Sequence, residues 1–514
     1  MLSAAKQYPE KTALVVESTP YTYAQLLDTS LRVAASLVER GLDRGDRVAI
    51  YMENSMAAIA SIYGALLAGC VFVVINPQTK RRKLRAILED CRARALFTDY
   101  LLAHSFLPVV GELDHLLLLA VTGTLTEKIS SQTDAYHFDD LIASVLPLAK
   151  PVAVIPNDLA ALIYTSGSTG TPKGVMQTHQ AMVFAAWSLI EYLRLHRDDR
   201  IFLFLPLAFD YGLYQLLMAM MLGATLIVEK SFAFPVDIFK RLEREDVTVF
   251  PGVPTIFARM IAMHDINRLC FPGVTRVTST AAALAVDFVP VLREIFPNGL
   301  IYKMYGLTEC KRVSYLEPEL LASRPGSVGK AIPGTEVFIR NEKGEDTKPG
   351  EIGILHVRGP HIMLGYWNRP DLSAKMLKPG PLPGERILCT GDLFKMDEEG
   401  FLYFIGRTDD IINTRGEKVS PLEVEQVLVA IQGVREAAVI GIPDQEEGEA
   451  ICAFLAVDEN THITKRLVKK FCFAKLEPFM VPRWVFFLPT LPKTANKKVD
   501  KKKLAAQCHP PAHP

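Results

Sequence analysis

Two stretches of this chain carry no charged side chain: 56–75, MAAIASIYGALLAGCVFVVI, and 211–228, YGLYQLLMAMMLGATLIV. Either could cross a bilayer on hydropathy alone. Each is split by an interior glycine, Gly69 or Gly223. Good helix formers precede that glycine, and mostly β-branched or aromatic residues follow it. The pattern predicts a buried helix, a tight glycine turn and a buried strand rather than a membrane span.

The same alternation runs through residues 20–300. It predicts helices at Tyr23–Arg40 and Phe234–Glu245, and strands at Arg47–Met52 and Val247–Phe250. This is the signature of an α/β protein with mainly parallel sheets. From about 325 to 405 the runs shorten, and Asn341–Gly344, Lys348–Gly350, Lys378–Gly380 and Asp397–Gly400 punctuate them as turns, so this stretch reads as β-rich. Beyond 410 the reading is α+β: helices at Pro421–Val429 and Lys465–Lys475, strands at Ala437–Ile442 and Cys452–Val457. The expected organisation is a large N-terminal domain over 1–406, with 325–405 its β-rich part. A hinge at 407–410 and a small mobile C-terminal domain at 411–504 follow. The tail 505–514, with its prolines and histidines, is expected to be disordered.

Composition narrows the function classes. Lys plus Arg and Asp plus Glu both number 57, so no global field favours nucleic acid or anionic lipid. The 8 cysteines are scattered without CxxC spacing. Neither a metal cluster nor a disulfide framework is expected, and a reducing, cytoplasmic setting fits. The start, MLSAAKQYPEK, lacks the apolar core of a signal peptide.

The segment 164–175, YTSGSTGTPKGV, follows the apolar run 159–163. Glycines let backbone N–H groups converge on an anion, hydroxyls add donors, and Lys173 adds positive charge. A strand feeding such a loop suggests a phosphate cradle, although the spacing is not GxxxxGK[ST].

The string resembles the signature loop of the adenylate-forming enzyme superfamily, which includes acyl- and aryl-CoA synthetases, adenylation domains of peptide synthetases and firefly-type luciferases. Four further motifs follow in the family's order: Tyr305-Gly306-Leu307-Thr308-Glu309, Thr390-Gly391-Asp392, Gly406-Arg407-Thr408-Asp409, and Leu491 to Lys498 (LPKTANKK). The resemblance implies a stand-alone, AMP-forming acid–thiol ligase. A carboxylate would attack the α-phosphate of ATP, and a thiol would then displace AMP.

Its implied site residues are these. Thr165, Ser166, Gly167, Ser168, Thr169, Gly170 and Lys173 would hold the β- and γ-phosphates. Glu309 would bind magnesium, Thr308 the α-phosphate, and Tyr305 with Gly306 would lie near adenine. Ala281 and Ala282 belong to the base-binding stretch, where relatives often carry glycines at Thr280 and Ala281. Asp392 and Arg407 would meet the ribose. Lys498 would bridge the carboxylate and the α-phosphate, although Lys497 stands where the family usually has glycine. Asp409 falls at the hinge, and Gly416 in a loop associated with the thiol step.

Phe209, Asp210, Tyr214 and Gly252 would contribute to the acid pocket. Asp210 has two readings, helix capping, which is favoured, and pairing with a substrate amine. The thiol would come from CoA or from the phosphopantetheine of a separate carrier protein, since no carrier domain follows. No nucleic-acid partner and no membrane span are implied. A non-catalytic ATP-binding role is disfavoured by the presence of Glu309, Asp392 and Lys498.

Overall fold

The computed structural model describes all residues except 125–132, 167–171, 281–283, 409, 415–416, 445–446, 459–460, 495–497 and 508–514. The chain divides into two units. The first comprises Met1–Ser323, Ala331–Glu336 and Val357–Leu388, and the second comprises Arg324–Lys330, Val337–His356 and Cys389–Pro514.

Both uncharged stretches fold as helix, glycine turn and strand. Helix Met56–Leu67 leads through Gly69 (φ +72°) into strand Val71–Val74, and helix Asp210–Leu222 leads through Gly223 (φ +76°) into Thr225–Val228. A left-handed backbone at a helix terminus is where glycine costs least. Both strands are fully buried, which is why they read as continuous apolar runs rather than as alternating ones. No helix among the described residues is long and apolar enough to cross a membrane.

The first unit holds two mainly parallel sheets. One runs in the order Ser314–Leu316, Leu300–Tyr305, Arg276–Ser279, Val249–Gly252, Arg200–Leu203, Thr225–Val228, Thr12–Val16, Thr19–Thr22. The other runs Gly365–Tyr366, Pro172–Thr178, Leu159–Ser166, Val71–Val74, Arg47–Tyr51, Ala95–Asp99, Leu118–Thr122, Asp134–His137. Antiparallel pairs occur at the edges, as in Leu300–Tyr305 with Ser314–Leu316 and Leu159–Ser166 with Pro172–Thr178. Helices supply the crossovers that parallel strands require. Tyr23–Glu39 begins at a reciprocal cap: Gln25 N–H donates to the Thr22 hydroxyl, and Thr22 N–H donates to the Gln25 side chain. Such a cap satisfies two otherwise orphaned donors.

The second unit contains strands Ile412–Thr414, Glu417–Val419, Val434–Asp444, Gly448–Val457 and Trp484–Leu488 in one sheet. Helices Pro421–Val429 and Lys465–Phe473 cover it through Val424, Leu428, Val468 and Cys472, all buried. The fold class expected from sequence, α/β with a large N-terminal part and a small C-terminal one, is the one observed. One stretch differs. Helix Lys501–Gln507 runs into the tail expected to be disordered, because Leu504 is fully buried in a cluster with Leu491 and Phe454. Residues 508–514 lie outside the described residues.

Candidate active site

The donor-rich segment sits on a hairpin. Strand Leu159–Ser166 lies inside its sheet, and Pro172–Thr178 returns antiparallel beside it, with Thr165 opposite Lys173 and Ser166 opposite Pro172. The two ends of the segment are therefore held side by side. Gly167, Ser168, Thr169 and Gly170 lie outside the described residues. On the far side of Pro172–Thr178 comes the short strand Gly365–Tyr366, with Tyr366 opposite Val175. That pairing sets the Tyr366 ring 5.5 Å from the Lys173 ammonium, within range of a cation–π contact.

Tyr366 also reaches the acidic motif. Its hydroxyl donates to Glu309 Oε1 at 2.7 Å. The Thr308 carbonyl accepts from Gln177 Nε2 at 3.1 Å, and the Glu309 carbonyl accepts from Met363 N–H at 2.8 Å. Motif and hairpin are thus tied by side chains and backbone alike. The chain can turn after Tyr305 only because residue 306 lacks a side chain. A Cβ there would stand 2.1 Å from the Lys311 carbonyl oxygen.

Glu309 is half-buried, with its carboxylate oriented by a neutral donor. Magnesium favours one or two carboxylates together with phosphate oxygens, so this single fixed carboxylate beside a donor-rich hairpin suits it. No cluster of three or more acidic, histidine or cysteine ligands occurs among the described residues. The neighbouring Cys310 is fully buried, and burial raises its thiol well above the ordinary value, leaving it inert as a nucleophile.

Beyond Met363 lies an open cleft of about 760 Å³, bordered by Arg358, Glu385 and Arg386. Its Arg358 is already paired with Glu336 at 2.8 Å and Glu385 at 2.5 Å.

In the second unit, Asp392 and Arg407 face each other across antiparallel strands Arg386–Met396 and Leu402–Arg407. Arg407 Nε stands 3.3 Å from Asp392 Oδ1, and the acid side chain is 11% exposed against 57% for the arginine. The turn before Asp392 is fixed by Thr408, whose N–H and hydroxyl both donate to the Gly391 carbonyl at 2.9 Å. Lys498 is exposed, and its carbonyl accepts from Thr494 N–H at 2.7 Å; residues 495–497 between them lie outside the described residues. Asp409 and Gly416 lie outside the described residues.

The expected acid-pocket residues divide. Phe209 and Tyr214 lie at and just inside the start of helix Asp210–Leu222. Gly252 ends strand Val249–Gly252, where a Cβ would stand 2.2 Å from the Phe257 ring; that ring fills the space the glycine leaves. The favoured reading of Asp210 as a helix cap is corrected. Phe209 occupies the cap position, no side-chain cap bond forms, and Asp210 is already helical. Its carboxylate instead stands 4.0 Å from the buried Lys311 ammonium. Ala281 and Ala282 lie outside the described residues, whereas Thr280 is described, buried, and 3.4 Å from Arg312 Nη1.

Sequence reasoning did not anticipate Tyr366, Gln177, Met363 or Lys311. The signal for Tyr366 was faint, an aromatic after a glycine in LGYW. The others carry no local signal.

Parallel sheets, a donor-rich hairpin and an oriented carboxylate beside it define the class, an α/β enzyme equipped for a nucleotide. Models of the AMP-binding enzyme and of the AMP-binding enzyme C-terminal domain match residues 2–367 and 423–498. The chain is 30% identical to a long-chain-fatty-acid–CoA ligase of Bacillus subtilis (strain 168) over 98% of this chain and 93% of the relative. Among solved structures, an anthranilate CoA ligase in complex with anthranoyl-AMP matches with a TM-score of 0.88 at 27% identity, covering 98% of this chain and 96% of that one. An o-succinylbenzoate CoA synthetase from Bacillus subtilis in complex with ATP and magnesium ion matches with a TM-score of 0.83 at 27% identity, covering 98% of each chain. The chain belongs to the AMP-binding enzyme family and is an AMP-forming ligase.

Proposed function

We propose that the protein activates a carboxylic acid with ATP and passes the acyl group to the thiol of CoA. In the first step a carboxylate oxygen attacks the α-phosphorus, the bond to the β-phosphate oxygen breaks, and pyrophosphate leaves. In the second the thiol sulfur, losing its proton, attacks the acyl carbon and AMP leaves. The observation that carries this reading is the meeting of Lys173, Tyr366 and Glu309. One ring faces the hairpin lysine, and its hydroxyl holds the carboxylate of the acidic motif.

Each residue then has a task. Thr165, Ser166, the segment 167–170 and Lys173 receive the β- and γ-phosphates, whose charge grows as pyrophosphate departs. Thr308 donates to the α-phosphate, and Glu309 holds magnesium. That ion would neutralise phosphate charge when bound. Tyr305, Gly306 and the stretch including Ala281 and Ala282 face the base. Asp392, acceptor-only when ionised, takes the ribose hydroxyls, and Arg407 keeps it oriented. Lys498 supplies a compact positive charge during adenylation. Residues 407–410, including Asp409, act as the hinge of the 411–504 domain, and Gly416 serves the thiol step.

The test is pyrophosphate release across fatty, aryl and amino acids, each with and without CoA. CoA-stimulated release for one acid class supports the reading. Acid-dependent ATP–pyrophosphate exchange that ignores CoA would instead make a carrier-protein phosphopantetheine the acceptor. No acid-dependent release from a protein that still binds ATP would overturn ligase turnover.

A further inference from the structure

Lys311 is 2% exposed, and its ammonium makes no hydrogen bond among the described residues. The nearest acid, Asp210, stands 4.0 Å away, outside hydrogen-bond range. The Tyr214 ring lies 5.3 Å from the ammonium, and the Tyr214 hydroxyl is also buried without a partner among the described residues. Ser279 Oγ and Arg312 Nε are in the same condition. Buried polar atoms are nearly always satisfied, so such a group asks for a ligand or a water.

The backbone is arranged to put this lysine here. Lys311 has φ +66°, a region non-glycine residues enter rarely and that concentrates at functional sites. It stands two residues after Glu309, with Cys310 between them, and its carbonyl lies against Gly306. Asp210 and Tyr214 come from the first turns of helix Asp210–Leu222, on one face at i and i+4. At 4.0 Å the pair with Asp210 leaves the donors of Lys311 unspent.

We propose that Lys311 is a specificity-determining residue of the acid pocket: it offsets the charge of Asp210, so that this carboxylate does not serve as an amine ligand, and it donates to an acceptor oxygen that the acid carries apart from its reacting carboxylate. The substrate class is a hydroxy, oxo or dicarboxylic acid rather than a plain alkanoate or an amino acid. This inference rests on the ligase reading above. Under that reading Thr308 and Glu309 handle the α-phosphate and its cation, and an acid reacting there would extend toward residues immediately following them.

The experiment is ATP–pyrophosphate exchange by the full chain on matched acids that differ only in a hydroxyl, oxo, second carboxylate or amino group. The wild type should favour the oxygenated acid over its parent by at least about tenfold in kcat/KM, since a site built for a hydrogen bond discriminates strongly against the analogue lacking it. In Lys311→Met that ratio should fall toward one, and the amino analogue should gain as Asp210 loses its partner. If Lys311→Met does not fold, Asp210→Asn with Lys311→Met removes both charges of the pair together, and the same ratio is read there without the amine gain. Exchange with a wild-type preference for the plain alkanoate, or a ratio unmoved by the substitutions, overturns the role of Lys311 alone. Absence of exchange with every acid overturns the ligase reading itself.

Discussion

The Tyr366 hydroxyl donates to Glu309 Oε1 at 2.7 Å across 57 residues of sequence. The same ring faces Lys173 at 5.5 Å. If Glu309 holds magnesium, Tyr366 orients a metal ligand from behind. Removing such a partner commonly costs about 10- to 100-fold in metal affinity or activity. Tyr366→Phe keeps the ring under Lys173 and removes only the donor. It should shift the magnesium dependence of pyrophosphate release to higher concentration by about that factor, with little change in thermal stability. A magnesium titration that overlays the wild type would sink this role for the tyrosine.

Lys498 and Lys497 are adjacent, and only one completes the LPKTANKK motif in register. Lys498→Ala should lower acid-dependent ATP–pyrophosphate exchange by about 10²- to 10³-fold, the usual loss when a donor to developing transition-state charge is removed. Thiolysis of a supplied acyl-adenylate should survive, since the phosphate chemistry is then already done. Lys497→Ala should change exchange little. A larger loss in Lys497→Ala than in Lys498→Ala would move the assignment by one residue.

Asp392 is buried beside Arg407 at the end of a hydrogen-bonded turn. If it accepts from ribose hydroxyls, Asp392→Asn substitutes two donors for an acceptor oxygen and removes the negative charge facing Arg407. Hydrogen bonds to a charged group are worth about 1.5–3 kcal/mol. The KM for ATP should therefore rise by about 10- to 100-fold while the KM for the acid moves little. Equal rises in both would show a general disturbance of the turn rather than loss of a ribose contact.

What could be read from the sequence was local. A buried helix, glycine turn and strand announce themselves because each depends on its own residues, and Met56–Val74 and Asp210–Val228 folded accordingly. Boundaries slipped where a turn intervened. The strand expected from Val247 begins at Val249, because Asp246 adopts φ +45° and Val247 N–H donates back to the Leu242 carbonyl. Asp210 looked like a cap, but capping geometry is set by backbone dihedrals, and these placed the cap at Phe209. The tail helix owes its extra turn to the burial of Leu504, a tertiary effect. Motif order showed which segments would matter, yet not that Gln177 would hold the Thr308 carbonyl from 131 residues away. Such pairings arise from the tertiary approach of distant segments, which neither segment's own residues announce.

His361 gives the fold a pH dependence whose sign follows from its surroundings. It is fully buried, stacked on Phe184 at 5.5 Å between ring centroids. Burial pulls its pKa from 6.5 to about 4. The folded protein therefore keeps the ring neutral at a pH where the unfolded chain takes up a proton. Stability from this residue is fully present above about pH 6.5, declines as pH falls toward 4, and levels off below it; the whole difference is worth about 3 kcal/mol. Paired carboxylates lose stability over part of the same range, so the comparison must be with a variant rather than with neutral pH alone. His361→Phe keeps an aromatic ring against Phe184 and cannot take up a proton. Its unfolding midpoint, followed from pH 7 to pH 4, should fall less steeply than that of the wild type, with the two curves diverging below about pH 6.5. Parallel curves over that window would mean that His361 is protonated in the folded protein as readily as in the unfolded chain.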